Sequence, residues 1–130
     1  MKDYIFTGLA PNTQKDDIAL AWRLLFRPDS WISCEAIGKV EEWFKSFLPV
    51  EYAVSFVSGR GALHAILSSI GLKAGDEVLL QAYTCVSVPG AALAAGGKPV
   101  YVDIEPNTLN MSSEDLERKI THKSRALIIQ

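Results

Sequence analysis

Apolar positions in the first third of the chain recur at helical spacing. Ile18, Trp22 and Leu25 fall at i, i+4 and i+7 behind a stretch, Thr13 to Asp16, that reads as a capping box, and Pro28 must stop the helix they imply. Ile37, Val40, Phe44 and Phe47 repeat the pattern, so a second helix is expected over about 34–47, with Pro49 ending it. Ahead of both, Gly8, Pro11 and Asn12 predict an extended arm over 1–12. Trp22, Trp31, Trp43, Phe44 and Phe47 are expected to pack against a core or a partner.

Beyond residue 52 the pattern changes to short apolar runs separated by amphipathic stretches. Residues 53–57, 77–81, 99–104 and 126–130 are rich in β-favouring or aliphatic residues and read as buried strands. Between them, Leu63, Ile66, Leu67 and Ile70 form one helical stripe, residues 89–95 a helix of small side chains, and Leu116 and Ile120 the buried edge of a helix capped by Ser112. Turns at Lys73 to Asp76, Gly96-Gly97, Glu105 to Thr108 and Thr121 to Ser124 punctuate the series. The order is β-α-β-α-β-α-β behind two leading helices. Since each strand returns through a helical crossover, the expectation is an α/β fold with a mostly parallel sheet and helices on both faces. The chain then divides into an arm with two helices, 1–49, and a sheet region, 50–130.

Composition narrows the function. A net charge of −2 with no block of like charges argues against nucleic acid and membrane surfaces as partners. No apolar run reaches the ~18 residues of a membrane span, and the expected compartment is the cytoplasm. Two cysteines, Cys34 and Cys85, make no disulfide framework, and His64 and His122 lack metal-ligand spacing.

One turn stands out. Ser58-Gly59-Arg60-Gly61 joins the strand expected at 53–57 to the helix that follows, and such a turn aims unpaired N–H groups and the positive end of the helix dipole at one spot. That spot suits a phosphate, held by backbone amides and the Arg60 guanidinium; a glycine turn kept for steric reasons alone is an equal reading. Neither familiar nucleotide motif is present: His64 replaces the third glycine of G-x-G-x-x-G, and no Gly-Lys-Ser/Thr follows. His64 itself reads as structural. In parallel α/β sheets ligands sit at the carboxyl ends of the strands, where 58–61, 82–87 and Asp103 all fall. The closing run Ala-Leu-Ile-Ile-Gln has no turn or helix behind it, so the sequence is expected to be the front of a longer protein.

The order of motifs from Val57 onward carries a resemblance. Ser-Gly-Arg-Gly-Ala-Leu-His, Gly-Asp-Glu-Val-Leu-Leu-Gln-Ala-Tyr-Thr-Cys-Val, Lys-Pro-Val-Tyr-Val-Asp-Ile-Glu-Pro-Asn-Thr-Leu-Asn-Met and Ile-Thr-His-Lys-Ser-Arg-Ala-Leu-Ile together resemble the amino-terminal third of the DegT/StrS-type aminotransferases. These are pyridoxal-phosphate enzymes of fold type I that mostly aminate keto-sugars on nucleotide carriers. The resemblance implies that 50–130 is part of the cofactor-binding large domain, that the cofactor is pyridoxal 5′-phosphate, and that Gly59, Arg60 and Gly61 hold its phosphate. The residue aligned with the family's ring-stacking aromatic is Cys85, with Tyr83 two positions earlier. The family's pyridine-pairing aspartate and cofactor-linked lysine lie beyond residue 130; Lys73, Lys98, Lys119 and Lys123 sit in polar turns or a helix end. No catalytic residue and no metal ligand is therefore expected within the chain, and the polypeptide alone is expected to be inactive. The implied partners of the whole enzyme are an amino donor, a keto-sugar and a second copy of itself. A non-catalytic nucleotide- or phosphate-binding α/β module is the alternative reading. The resemblance also implies that the second, third and fourth strands lie together while 53–57 pairs with later sequence.

Overall fold

The computed structural model describes residues 13–32 and 34–130, so the arm expected over 1–12 lies outside the described residues. The chain divides into two compact units, Met1–Ala53 and Val54–Gln130. No helix among the described residues is long and apolar enough to cross a membrane.

In the first unit, α1 (Lys15–Leu25), a 3₁₀ turn (Pro28–Ile32) and α2 (Glu35–Phe47) follow in order. The cap of α1 sits one residue later than the sequence pattern suggests: Gln14 is the N-cap, and the Asp17 carboxylate accepts its backbone N–H at 2.8 Å. Trp31 donates its indole N–H to the Leu24 carbonyl at 2.7 Å, tying the 3₁₀ turn to the end of α1. Of the two expectations for the aromatic side chains, a core or a partner, the core is not found within this unit, for neither helix has a buried residue. Instead Trp43 stacks on Phe47 with ring centres 5.1 Å apart and meets Phe44 edge-on at 5.0 Å, an aromatic cluster on one exposed helix face.

The second unit runs α3 (Gly59–Ser69), β1 (Glu77–Gln81), α4 (Ser87–Ala94), β2 (Lys98–Val102), α5 (Ser113–Lys119) and β3 (Ser124–Ile128). The sheet order is β2-β1-β3, with both pairs parallel. The crossover through α4 steps one way from β1 and the crossover through α5 steps back past it, so right-handed connections place these helices on opposite faces. Side-chain packing agrees. Val78 of β1 packs with Leu67 of α3 and Ala92 of α4, backed by Leu63, Leu72, Ala126 and Ile128. Leu79 points the other way, toward Leu116 of α5, Ile120 just after it and Leu127 of β3. Covered on both faces, all of β1 is buried, as a central parallel strand must be.

One expected element is missing: residues 53–57 form no strand. Val54 is 71% and Val57 fully exposed, and no strand of the sheet pairs with this segment. The physical reason is that a β-favouring sequence gains its hydrogen bonds only from a neighbour. The sheet unit is thus αβαβαβ among the described residues.

Candidate functional site

The carboxyl ends of β1 and β2 and the start of α3 lie on one edge of the sheet unit. Ser58 is extended, with φ −159°, and caps α3: its Oγ accepts the Gly61 N–H at 3.1 Å while its carbonyl accepts the Ala62 N–H at 3.0 Å. Gly61 was expected to offer its amide to an anion, and that amide is committed to the cap. The first-turn N–H groups of Gly59 and Arg60 have no acceptor within the helix, and no acidic residue stands in that turn. A Cβ on Gly59 would meet nothing within 4 Å.

Arg60 reaches across to the neighbouring helix. Its Nη2 donates to Ser87 Oγ at 2.9 Å, and the Cys85 thiol donates to the same oxygen at 3.3 Å. Ser87 is the first residue of α4, so the starts of two helices, one guanidinium and one thiol meet at a single hydroxyl. The thiol of Cys85 is held below its ordinary pKa, first by the hydrogen bond with the Ser87 hydroxyl, then by the Ser87 backbone, with a smaller push from the Arg60 charge. The sequence reading picked out Arg60 and Cys85 but not the group that joins them. The sequence pattern starts the helix at Pro89 and leaves Ser87 in the preceding loop; α4 begins two residues earlier and Pro89 lies inside its first turn, where a missing N–H costs no helical bond. His64 lies one turn further along α3, with its Nε2 3.4 Å from Ser68 Oγ. It lines an open groove of about 320 Å3 between α3 and α4, with Arg60 and Gly61 beside it and Gly90, Ala91 and Ala94 opposite.

The rim of this edge is built by polar contacts. Gln81, the last residue of β1, is only 6% exposed; its Nε2 donates to the Tyr83 carbonyl at 3.2 Å and the Leu109 carbonyl at 2.9 Å. Its Oε1 is buried with no partner among the described residues, an arrangement that costs about 1–3 kcal/mol. Leu109 has φ 59°, in the left-handed region that side chains disfavour. Thr84 donates its hydroxyl to the Gln130 side chain. After β2, Asp103 is fixed by its N–H to the Asp115 carboxylate at 2.8 Å and by its carbonyl, which accepts from Ser112 N–H at 2.8 Å. Asp115, buried among the Asp103 amide, Lys119 at 2.7 Å and Arg118 at 3.2 Å, has its pKa lowered to about 2, the Asp103 amide being the main cause.

Three lysines of the second unit stand at the opposite edge: Lys98 opens β2 and pairs with Glu77 at 3.5 Å, Lys123 immediately precedes β3, and Lys73 precedes β1. A five-residue strand spans about 16 Å, which separates these three from Ser87. Lys119, at the end of α5, instead reaches the carboxyl end of β2, with its Nζ on the Tyr101 carbonyl at 2.6 Å and the Asp115 carboxylate at 2.7 Å.

The sequence profile of the DegT/DnrJ/EryC1/StrS aminotransferase family matches residues 12–130. The chain belongs to this family. Among its relatives, the UDP-2-acetamido-2-deoxy-3-oxo-D-glucuronate aminotransferase of Pseudomonas aeruginosa is 32% identical over 88% of this chain, and the GDP-perosamine synthase of Vibrio cholerae is 35% identical over 75% of it. The chain spans 32% and 27% of the lengths of these two proteins. A solved structure described as a sugar aminotransferase of Streptococcus pneumoniae, in its PLP form, superposes with a TM-score of 0.66 and 29% identity over 68% of this chain and 23% of that one. The α/β class with a parallel sheet is the fold this family membership predicts, and the sheet order observed sets the expected second, third and fourth strands side by side.

Proposed function

We propose that the protein carrying this chain is a pyridoxal-phosphate-dependent aminotransferase that moves an amino group from an amino acid to a keto-sugar on a nucleotide carrier. Residues 50–130 are read as part of its cofactor-binding large domain and 1–49 as a separate arm with two helices. The observation that carries the reading is the convergence of the α3 and α4 starts on Ser87, with Arg60 and Cys85 bonded to it. It is supported by a relative named as a sugar-nucleotide aminotransferase and by a similar structure in its PLP form.

The residues fit the phosphate end of that cofactor. The free N–H groups of Gly59 and Arg60, the Arg60 guanidinium and the Ser87 hydroxyl supply donors and positive charge without a competing carboxylate in the α3 turn. The Gly61 amide is engaged by the Ser58 hydroxyl, within the helix cap. Cys85 stands on the loop after β1 and offers a polarisable sulfur as one wall for the ring, where the family carries an aromatic residue. When bound, the cofactor supplies the electron sink for amino transfer. The chain's own residues bind and orient it; the lysine and the pyridine-pairing aspartate come from other residues of the protein. The working assembly is proposed to be a cytoplasmic homodimer, with neither nucleic acid nor membrane as a partner.

The test is a titration of pyridoxal phosphate into the full-length protein, followed by an amino-transfer assay on nucleotide-linked keto-sugars. Arg60→Met is expected to weaken cofactor binding roughly ten- to a hundredfold, the size of one charge-assisted hydrogen bond. Unchanged affinity in that variant removes the turn from the site, and phosphate binding without any amino transfer favours the non-catalytic module.

A further inference from the structure

The carboxamide of Gln81 is a buried polar side chain on the site edge that the proposed cofactor contacts do not use. Its orientation is settled by its partners: two carbonyl oxygens, of Tyr83 and Leu109, face the same atom, so that atom is the NH2 group and both of its hydrogens are engaged. These carbonyls belong to different loops. Tyr83 lies in the loop that carries Cys85 after β1, and Leu109 in the loop that follows β2, 28 residues from Gln81 in sequence. The Leu109 backbone is held at φ 59°, a conformation that persists only where the surroundings impose it; its N–H donates to Glu105 at 2.8 Å and its carbonyl is the one Gln81 takes. On the other side, Gln81 Oε1 is left without a partner among the described residues. A hydrophobic residue would fill the end of a buried strand without an orphan acceptor, so a glutamine here serves the two bonds it donates.

We propose that Gln81 is a positioning residue, a clamp that locks the 82–86 and 103–111 loops together and so fixes where the Cys85 thiol stands relative to Ser87 and Arg60. This rests on the reading of that edge as the cofactor site, and deepens it. The clamp acts through the loops: Gln81 itself, at 6% exposure, is withdrawn from the space above the sheet. Removing its donors frees both carbonyls at once, so the two loops loosen as a pair. The Cys85 thiol then drifts from the Ser87 hydroxyl and the neighbouring guanidinium, which favour its ionised form.

The test uses the full-length protein with Gln81→Met, which keeps volume and removes the donors, and Gln81→Glu, which places a titratable oxygen against the two carbonyls. Amide hydrogen exchange is read over 82–86, 105–110 and the strand 77–81, and alkylation of Cys85 by iodoacetamide is followed against pH, resolved from Cys34 by peptide mass. In Gln81→Met both loops are expected to exchange about tenfold faster together, the strand to stay unchanged, and the Cys85 alkylation profile to move to higher pH. Gln81→Glu is expected to show the same loosening, growing as pH rises through its carboxyl range, because a carboxylate cannot donate to either carbonyl; it also decides the matter if Gln81→Met does not fold. A uniform rise in exchange across strand and loops, or loops that stay protected, or a Cys85 profile that does not move, overturns the clamp. Slowing of Cys85 alkylation by added pyridoxal phosphate is scored separately. Its absence from the wild-type protein contradicts the cofactor site while leaving the loop result standing.

Discussion

At the scale of single residues, the site depends on groups whose local roles differ from their apparent ones. Ser58 uses its hydroxyl on Gly61, so it stabilises α3 and leaves phosphate binding to Gly59 and Arg60. Ser58→Ala should therefore lower stability by about 1 kcal/mol, as loss of an N-cap does, with little change in cofactor affinity; paired denaturation and titration curves check both halves. Asp115 gives a prediction in pH. Its pKa is lowered from 3.8 to about 2 in the folded chain, so the stability it contributes is complete above pH 4 and is lost as pH falls from there toward 2. Thermal melts across that window should show a decline that Asp115→Asn flattens, with the variant less stable at neutral pH because the pairs with Lys119 and Arg118 lose their charge. Arg60 and Cys85 were legible in the sequence through the turn and the family motif. Ser87 was not, because a serine two residues before a proline signals a loop as readily as a helix start, and only the packing of α4 against α3 brings it under the guanidinium.

Among the elements, the glycine pair after α4 shows how one motif serves two purposes. Gly97 N–H returns to the Ala92 carbonyl at 3.0 Å and Gly96 N–H to Leu93 at 3.0 Å, closing the helix in the manner of a Schellman turn. Gly96 is needed for its φ of 87°, whereas a Cβ on Gly97 would stand 2.8 Å from Val78 and 3.0 Å from Leu72. Gly96→Ala should cost about 1 kcal/mol of backbone strain, and Gly97→Ala about 1–3 kcal/mol of overpacking between α4 and β1, both read as midpoint shifts in denaturant. The sequence located this turn and all of β1, since the apolar residues Val78, Leu79 and Leu80 are bounded by polar Glu77 and Gln81 behind the turn at Gly75-Asp76. It misplaced the cap of α1 by one residue, because Thr13 and Gln14 are both plausible openings and the Asp17 carboxylate selects the second. It also overstated 53–57. Propensity marks a segment that would suit a sheet, but a strand exists only with a neighbour to bond, and the sheet formed here supplies none.

For the molecule as a whole, topology explains why the candidate site lies where it does. Parallel strands direct every carboxyl end to one edge, and crossovers on opposite faces leave that edge free for the starts of helices. Fold class and strand order were legible because alternation of short apolar runs with amphipathic stretches permits few arrangements. The aromatic faces of α1 and α2 show the limit of such reasoning: spacing fixes which side of a helix is apolar, not whether its own unit buries it. The measurement that bears most directly on the central claim is a high-resolution crystal structure of the full-length protein grown with pyridoxal phosphate. The phosphate is predicted to lie about 2.7–3.2 Å from the backbone N–H groups of Gly59 and Arg60 and from Ser87 Oγ, with Cys85 beside the ring. Cofactor density at any other place, or a phosphate out of reach of these groups, would contradict the account.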